Sequence, residues 1–203
     1  MLELPLDIES VKGFLDPREG EALFRHAASL SLSAPAVEIG SYCGKSTVYL
    51  GLGCQQADRR LFAVDHHRGS EEHQAGEFFH DPALADGEGG IDSFAEFRNT
   101  LRRARLEQSV IPVVSDSVTF AETWSGALSL LFIDGGHSLD TALEDYRAWS
   151  GYLTRGALLA IHDVFPAAEE GGQAPITVYR LALASGLFET VEAVCSLRVL
   201  RRR

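Results

Sequence analysis

Hydrophobic and polar positions form alternating blocks along the chain, and these blocks predict strands that are followed by helices. Short, mostly apolar runs recur at residues 36–39, 61–65, 109–114, 128–133 and 157–161. Between them, apolar residues recur three and four positions apart, as at Phe94, Phe97 and Leu101, which is typical of a helix with one buried face. Because strands that are apolar throughout are buried on both faces, the pattern predicts a mostly parallel sheet covered by helices on both sides.

The two ends of the chain extend this picture. The tetrapeptide 16–19, Asp-Pro-Arg-Glu, matches a helix start with a capping box, and predicts a helical N-terminal segment within residues 1–35. Near the C terminus, apolar runs at 190–194 and 197–200 are separated by only two residues. Two strands separated by so short a turn can pair only as a hairpin. We therefore expect an α/β fold whose sheet ends in a C-terminal antiparallel hairpin.

One segment, 66–92, departs from the alternation. It is rich in glycine, histidine and acids and has no sustained periodicity. Loops of this length are usually functional, which predicts a lid-like excursion beside a binding site. A second metal site is an alternative for its histidines, among them His66 and His67, but their spacing matches no ligand motif and favours a solvated surface.

Composition and charge narrow the classes of protein. The 203 residues, 45% hydrophobic and 23% charged, predict a single folded domain over 1–203. The formal net charge of −11 opposes the phosphate neutralisation on which nucleic-acid binding depends. The sequence has neither an apolar run of about 20 residues nor the basic start of a signal peptide, so we expect a cytoplasmic protein that does not bind membranes.

Polar side chains occur at the carboxyl end of every predicted parallel strand. They are Glu38, Asp65, Asp116, Asp134, and the pair His162 and Asp163. A single aspartate at such a place is often only a helix cap. In open parallel sheets, however, ligands bind outside the carboxyl ends of the strands, so five successive polar ends predict a binding site at one edge of the sheet.

The loop after the first strand resembles two nucleotide-binding motifs and matches neither. Only three residues separate Gly40 from the Gly-Lys-Ser triplet at 44–46, whereas a P-loop requires four. Tyr42 occupies the second glycine position of a dinucleotide fingerprint. Glu38 would repel a triphosphate, but would suit a ligand that carries an ammonium and a sulfonium group. The loop therefore predicts a nucleoside site without a phosphate cradle.

The acids after the second and third predicted strands fit a nucleoside. Asp65 lies about 25 residues beyond Gly40, where an acid can accept hydrogen bonds from both ribose hydroxyls. Asp116 could accept from an adenine amino group, and Ser117 could contact the ring. An aspartate flanked by serines is also an ordinary turn, so the assignments of Asp116 and Ser117 compete with a structural interpretation.

Four blocks of the sequence together resemble a known family. They are Val37-Glu38-Ile39-Gly40-Ser41-Tyr42-Cys43-Gly44-Lys45-Ser46-Thr47, Val64-Asp65, Phe132-Ile133-Asp134-Gly135-Gly136-His137 and Ala160-Ile161-His162-Asp163-Val164. In this order they are similar to S-adenosylmethionine-dependent class I methyltransferases, above all to small bacterial O-methyltransferases with an Asp-Gly-Gly-His loop. The resemblance implies a Rossmann-like, doubly wound sheet of seven strands, the last one antiparallel. The cofactor-binding residues it implies, with those proposed above, are Glu38, Gly40, Tyr42, Gly44, Ser46, Asp65, Asp116, Ser117 and Asp134.

The polar ends of the fourth and fifth strands predict the reaction chemistry. Asp134, His162 and Asp163 could hold a divalent cation that lowers the pKa of an acceptor hydroxyl. His137, three residues after Asp134, could act as general base. This arrangement resembles metal-dependent sugar O-methyltransferases, among them the methylmannose-polysaccharide enzymes. Magnesium prefers an all-oxygen shell, so either His162 stays outside that shell or a softer ion such as manganese is used.

These inferences predict methyl transfer from S-adenosylmethionine to a hydroxyl of a small acceptor, with a sugar or oligosaccharide favoured. The segment 66–92 would then cover or bind the acceptor. We also expect a homodimer, although no particular residue indicates one. Two alternatives stay open: a P-loop-like NTPase or kinase, and a non-catalytic module that binds S-adenosylmethionine.

Overall fold

The computed structural model describes residues 2–70, 81–88, 90–136 and 138–203. Its strands are β1 (Ala36–Ile39), β2 (Leu61–Asp65), β3 (Val110–Val114), β4 (Leu128–Ile133), β5 (Leu153–Ile161), β6 (Phe188–Val194) and β7 (Leu197–Arg202). Its α-helices are α1 (Pro17–Ala28), α2 (Lys45–Gln56), α3 (Phe94–Ala104), α4 (Ser117–Thr123), α5 (Leu139–Trp149) and α6 (Ala174–Ala184). In this part of the chain, no helix has the length and apolar character needed to cross a membrane.

The strands form one sheet in the order β3-β2-β1-β4-β5-β7-β6. Strands β1 to β5 pair in parallel, and β7 is antiparallel to both of its neighbours. The predicted seven-stranded α/β fold with a C-terminal antiparallel hairpin is therefore confirmed. The chain leaves β1 towards β2 on one side, and later adds β4 on the other side, so the strand order reverses between β1 and β4.

Helices cover both faces of the sheet, as the apolar strands predicted. Strand β4 shows this arrangement, because Leu130 and Phe132 belong to the core under α1, α2 and α3, whereas Leu131 and Ile133 belong to the core under α4, α5 and α6. All four side chains are buried. The sheet is therefore a rigid platform whose carboxyl-end edge carries the loops described below.

Element boundaries follow local chemistry closely, with one clear exception. At α1 the capping box is present, because Asp16 accepts a hydrogen bond from the Arg18 amide, and Glu19 accepts one from the Asp16 amide. Strand β5 begins at Leu153, four residues before the predicted start, because its exposed positions 154–156 have no apolar pattern. Helix α5 correspondingly ends at Trp149 rather than at 153.

Candidate functional site

The carboxyl ends of the parallel strands open into a cleft of about 390 Å³, a size within the range of small-molecule sites. The predicted residues that line it are Gly40, Tyr42, Ser46, Asp65, Asp116, Ser117, Asp134, His162 and Asp163. The N-terminal segment contributes residues 12–15 to the same wall. The fold therefore brings most of the predicted site residues together, although they are spread over more than 120 positions of the chain.

Asp65 organises the loop that follows β1. One of its carboxylate oxygens accepts hydrogen bonds from the Ser41 and Tyr42 amides at 2.9 and 2.7 Å, and the other accepts from the His67 amide at 2.7 Å. Tyr42 has a φ of 45° and His67 a φ of 60°, a left-handed conformation that non-glycine residues rarely adopt. Because a carboxylate offers about four acceptor sites, Asp65 keeps capacity for a ligand hydroxyl.

Two glycines shape this loop in different ways. Gly40 has a φ of 82°, and a Cβ there would lie 2.0 Å from the carbonyl oxygen of Asp134, so the loops after β1 and β4 touch. Gly44 has a φ of 93° and precedes α2, where a Cβ would come within 3.2 Å of Thr100. Gly44 is not part of the cleft wall. The structure shows that Gly44 allows the turn into α2, and its predicted cofactor contact stays a prediction.

Glu38 is the acid of β1. Its side chain is fully buried under the loop and does not line the cleft. Its carboxyl oxygens accept hydrogen bonds from the Ser46 and Thr47 hydroxyls at 2.6 and 2.7 Å. Burial raises the pKa of Glu38 to about 8, against the effect of those hydrogen bonds. The alternation of β1 directs this side chain into the layer under α2, where it holds the start of that helix. A direct contact of Glu38 with a cofactor stays a prediction.

The end of β3 combines the two interpretations that the sequence left open. Asp116 caps α4 by accepting a hydrogen bond from the Thr119 amide at 2.9 Å, and it also lines the cleft. The Ser117 hydroxyl donates to Asp145, a cleft residue on α5 that the sequence analysis missed. Burial raises the pKa of Asp145 to about 6. The sequence signal that could have identified Asp145 is the position of an acid on the buried face of α5.

At the ends of β4 and β5, carboxylates surround the buried imidazole of His162. Its Nδ1 lies 2.9 Å from Asp134 Oδ1 and 3.5 Å from Asp163 Oδ1, and its Nε2 lies 2.9 Å from Glu19 Oε2. Burial opposes a charge on this ring, but Asp134 and Glu19 outweigh it and hold the pKa of His162 well above its ordinary value. Asp163 has a φ of 53°, so its backbone conformation is also a strained one.

The donor atoms of this cluster suit a divalent cation. One ligand atom from each of Asp134, His162 and Asp163 lies within 4.8 Å of the other two. Neighbouring ligands of an octahedral ion with bonds of about 2.1 Å are about 3 Å apart. The nitrogen-to-oxygen distances of 2.9 and 3.5 Å are close to that value, so a cation could take the place of the hydrogen that a protonated Nδ1 directs at Asp134. An imidazole beside two carboxylates suits manganese better than magnesium.

The remaining predictions concern His137 and the histidines of segment 66–92. His137 and residues 71–80 lie outside the described residues. His67 is buried, with Nδ1 2.9 Å from the Ser93 hydroxyl and its ring packed on Phe94 and Phe97, so a solvated surface is wrong for it. His66 lines the cleft. Among the described residues, the potential metal ligands group only at Asp134, His162 and Asp163.

Comparison with solved structures finds the same fold in several O-methyltransferases. The O-methyltransferase TomG from Streptomyces achromogenes, involved in tomaymycin synthesis and solved with S-adenosylmethionine, is 14% identical, with a TM-score of 0.64 over 93% of this chain and 81% of that chain. An O-methyltransferase from Bacillus cereus, in complex with S-adenosylhomocysteine, is 16% identical, with a TM-score of 0.63 over 93% and 83%. The O-methyltransferase NovP is 13% identical, with a TM-score of 0.68 over 90% and 78%. At these identities the likeness shows the fold alone.

The family itself is shown by the sequence. A family model described as a methyltransferase domain matches residues 37–164, which is more than half of the chain. The match begins in β1 and ends just after β5, so it contains every strand end that lines the cleft. The chain therefore belongs to this methyltransferase-domain family.

Proposed function

We propose that this protein transfers a methyl group from S-adenosylmethionine to a hydroxyl oxygen of a small acceptor, with a sugar or saccharide favoured. The observation that carries the proposal is one cleft with two different ends. At one end are Asp65 and the loop after β1; at the other are Asp134, His162 and Asp163. The first end suits a nucleoside and the second suits a cation with a hydroxylated acceptor. The cofactors of TomG and the Bacillus cereus enzyme support the choice of methyl donor.

For the methyl donor, Asp65 would accept hydrogen bonds from the ribose hydroxyls, while the loop carrying Gly40 and Tyr42 would hold the amino-acid part. Ser117 and Asp116 would face the adenine. All five residues line the cleft. The three backbone amides on the Asp65 carboxylate hold it in place before the ligand arrives, which reduces the ordering cost of binding.

For the acceptor, Asp134, His162 and Asp163 would hold a divalent cation, manganese or magnesium. When bound, this ion would lower the pKa of the acceptor hydroxyl and orient it. Three protein ligands fill half of an octahedral shell and leave positions for acceptor oxygens and water. An acceptor with neighbouring hydroxyls, such as a saccharide, could occupy two of those open ligand positions. The strong acid excess of the chain favours a neutral acceptor over an anionic one.

In the transfer, the acceptor oxygen attacks the methyl carbon as the bond from carbon to sulfur breaks and its electron pair stays on sulfur. The hydroxyl proton passes to a base, for which we propose His137. Its sequence position, three residues after Asp134, supports this role. An unperturbed imidazole, with a pKa of about 6.5, is largely neutral at pH 7 and can take that proton.

The P-loop alternative is not favoured. The chain belongs to a methyltransferase family. Lys45, which would have to reach phosphates, lines the cleft, but its amino group contacts the N-terminal segment. Its Nζ lies 3.5 Å from the carbonyl oxygen of Gly13 and 3.6 Å from a Glu9 carboxylate oxygen. A non-catalytic module that binds S-adenosylmethionine is distinguished from an enzyme by turnover.

Calorimetry with S-adenosylmethionine, S-adenosylhomocysteine and ATP tests the cofactor. We expect both adenosyl ligands to bind and ATP to bind weakly; tight ATP binding alone would contradict the proposal. Transfer of isotope-labelled methyl to a panel of saccharides, with and without Mn²⁺ after chelation, tests acceptor and cation. Full activity in chelated protein would exclude the cation, and an unchanged rate in His137→Ala would remove the base.

A further inference from the structure

Glu19, on the first turn of α1, is a buried acid to which the sequence assigned only a capping role. Its side chain is 2% exposed and lies behind His162, on the side away from Asp134. Its carboxylate accepts hydrogen bonds from the Asp16, Ser196 and Leu197 amides, the Ser196 hydroxyl and the His162 ring. A helix cap alone uses one of these five contacts.

The five contacts are divided between the two oxygens. Oε1 accepts from the Ser196 amide at 2.7 Å, the Ser196 hydroxyl at 2.8 Å and the Leu197 amide at 3.0 Å. Oε2 accepts from the Asp16 amide at 3.2 Å and contacts His162 Nε2 at 2.9 Å. A carboxylate oxygen only accepts hydrogen bonds, so the hydrogen in the contact with His162 must be carried by Nε2.

We infer that Glu19 is a positioning residue for the cation site: it fixes His162 with Nε2–H towards α1 and with Nδ1 towards Asp134 and Asp163. The inference rests on the proposed cation site. Histidines that bind metals commonly donate their second ring N–H to a carboxylate, which sets the tautomer and the ring orientation. Both ring nitrogens of His162 have carboxylate partners, so the orientation of the ring is fixed from both sides.

This contact joins the cleft to parts of the chain outside the matched family segment, 37–164. Glu19 lies on α1, and Ser196 lies in the turn between β6 and β7. The N-terminal helix and the C-terminal hairpin therefore meet behind the residue that presents Nδ1 to the cleft. Their contribution to the site is to hold one imidazole in one orientation.

The variant Glu19→Gln tests the polarity of this contact. The amide oxygen of this glutamine can accept the three hydrogen bonds from Ser196 and Leu197 only if the NH₂ group faces His162 and Asp16. The flipped amide would instead direct NH₂ at the donors of Ser196 and Leu197. With NH₂ towards the ring, Nε2 must accept and Nδ1 must carry the hydrogen, so Nδ1 loses the lone pair that a cation needs.

We expect Glu19→Gln to bind Mn²⁺ about 10–100-fold more weakly than the unchanged protein, measured by electron paramagnetic resonance of free Mn²⁺. Its affinity for S-adenosylhomocysteine, measured by calorimetry, should stay the same. Glu21→Gln on the same helix, outside the cleft wall, is the matched control and should change neither affinity.

Equal Mn²⁺ affinity in folded Glu19→Gln and the unchanged protein would overturn the role of Glu19 and leave the proposed function intact. Absence of Mn²⁺ binding to the unchanged protein would overturn both the role of Glu19 and the cation part of the proposed function. NMR of histidine-labelled, unchanged protein with Cd²⁺ gives a second test that does not depend on a variant. We expect Nε2–H and a Cd²⁺-bound Nδ1 in His162; an Nδ1–H tautomer would refute the proposal.

Discussion

The two ends of the cleft use aspartates at strand ends in different ways. Asp65, the last residue of β2, has three backbone amides as partners. Asp134, after β4, and Asp163, after β5, face the imidazole of His162. The same residue type at equivalent places thus organises a loop at one end and builds a cluster of ionisable groups at the other.

The difference shows what kind of ligand each end can accept. The partners of Asp65 are backbone amides, which do not titrate. Its carboxylate is therefore held in place without a counter-charge and suits a neutral hydrogen-bond donor such as a ribose. The β4–β5 end concentrates carboxylates around a single imidazole, and such a concentration is favourable only when positive charge balances it. Two of the four predictions that follow should affect the ligand of one end without affecting the other, one concerns the contact between the ends, and one concerns the buried acid beneath the loop after β1.

The largest expected effect is at the β4–β5 end. Asp134→Asn removes one anionic ligand, and we expect Mn²⁺ affinity to fall about 100-fold or more, or about 2.7 kcal/mol. Titration with Mn²⁺ measures this change. Asp140→Asn, at an exposed position on α5, is the control. An equal loss of S-adenosylmethionine affinity in Asp134→Asn would mean that the two ends are not separate.

The next effect concerns the contact between the two ends. Gly40→Ala would place a Cβ 2.0 Å from the Asp134 carbonyl oxygen at a φ of 82°. We expect a loss of about 2–3 kcal/mol in the free energy of unfolding, from overpacking and backbone strain. Denaturant unfolding measures it. Gly151→Ala, which meets no atom within 4 Å, should be close to neutral. Equal stability of the two variants would show that the loops separate easily.

At the β1–β2 end, Asp65→Asn removes a charged acceptor. We expect S-adenosylmethionine affinity to fall by about 1.5–3 kcal/mol, the range for hydrogen bonds to charged groups. Calorimetry measures this loss, and Mn²⁺ affinity in the same variant should not change. A normal affinity for the methyl donor would exclude Asp65 from the ribose contact.

The smallest effect is a pH dependence. Glu38 has a pKa of about 8 when folded and an ordinary value of 4.5, so the folded protein binds the extra proton between these values. Stability contributed by Glu38 is present below 4.5 and is lost as the pH rises through 8. Asp145 adds the same trend only up to about pH 6.

Glu38→Gln should therefore make the decrease in stability between about pH 6.5 and 8 less steep, while His162, whose pKa is also raised, keeps contributing a decrease of the same sign. Denaturant midpoints across that interval measure the slope. Glu122→Gln, at an exposed position on α4, should keep the original slope. An unchanged slope in Glu38→Gln would assign the whole pH dependence to other groups, such as His162.

Much of the fold could be predicted because local patterns define it. The bounds of β1, β2 and β4 agree with the predicted runs to the residue, since these strands are buried and bounded by polar turns. The start of β5 could not be predicted, because residues 154–156 are exposed and polar although they belong to the strand. A hydrophobic periodicity arises only where one face of an element is buried, so an exposed part of a strand shows no such periodicity.

For the site, residues at the strand ends and in the loops or helix starts that follow them could be predicted, whereas two acids on other helices could not. Asp134 and Asp163 follow apolar runs, so their place at the sheet edge depends only on strand direction. Glu19 and Asp145 reach the same region from α1 and α5. Their positions depend on how each helix packs against the sheet, a contact between residues far apart in the chain.

The sequence by itself therefore determined the order of strands and helices, the family, and the acids at the strand ends, because these follow from short-range patterns. Only the tertiary structure decided what each acid does. It turned Glu38 into the layer under α2, gave Asp65 three backbone amides, and placed Glu19 behind His162. The physical reason is that a carboxylate's function depends on its burial and on its hydrogen-bond partners, which the packing of distant segments supplies.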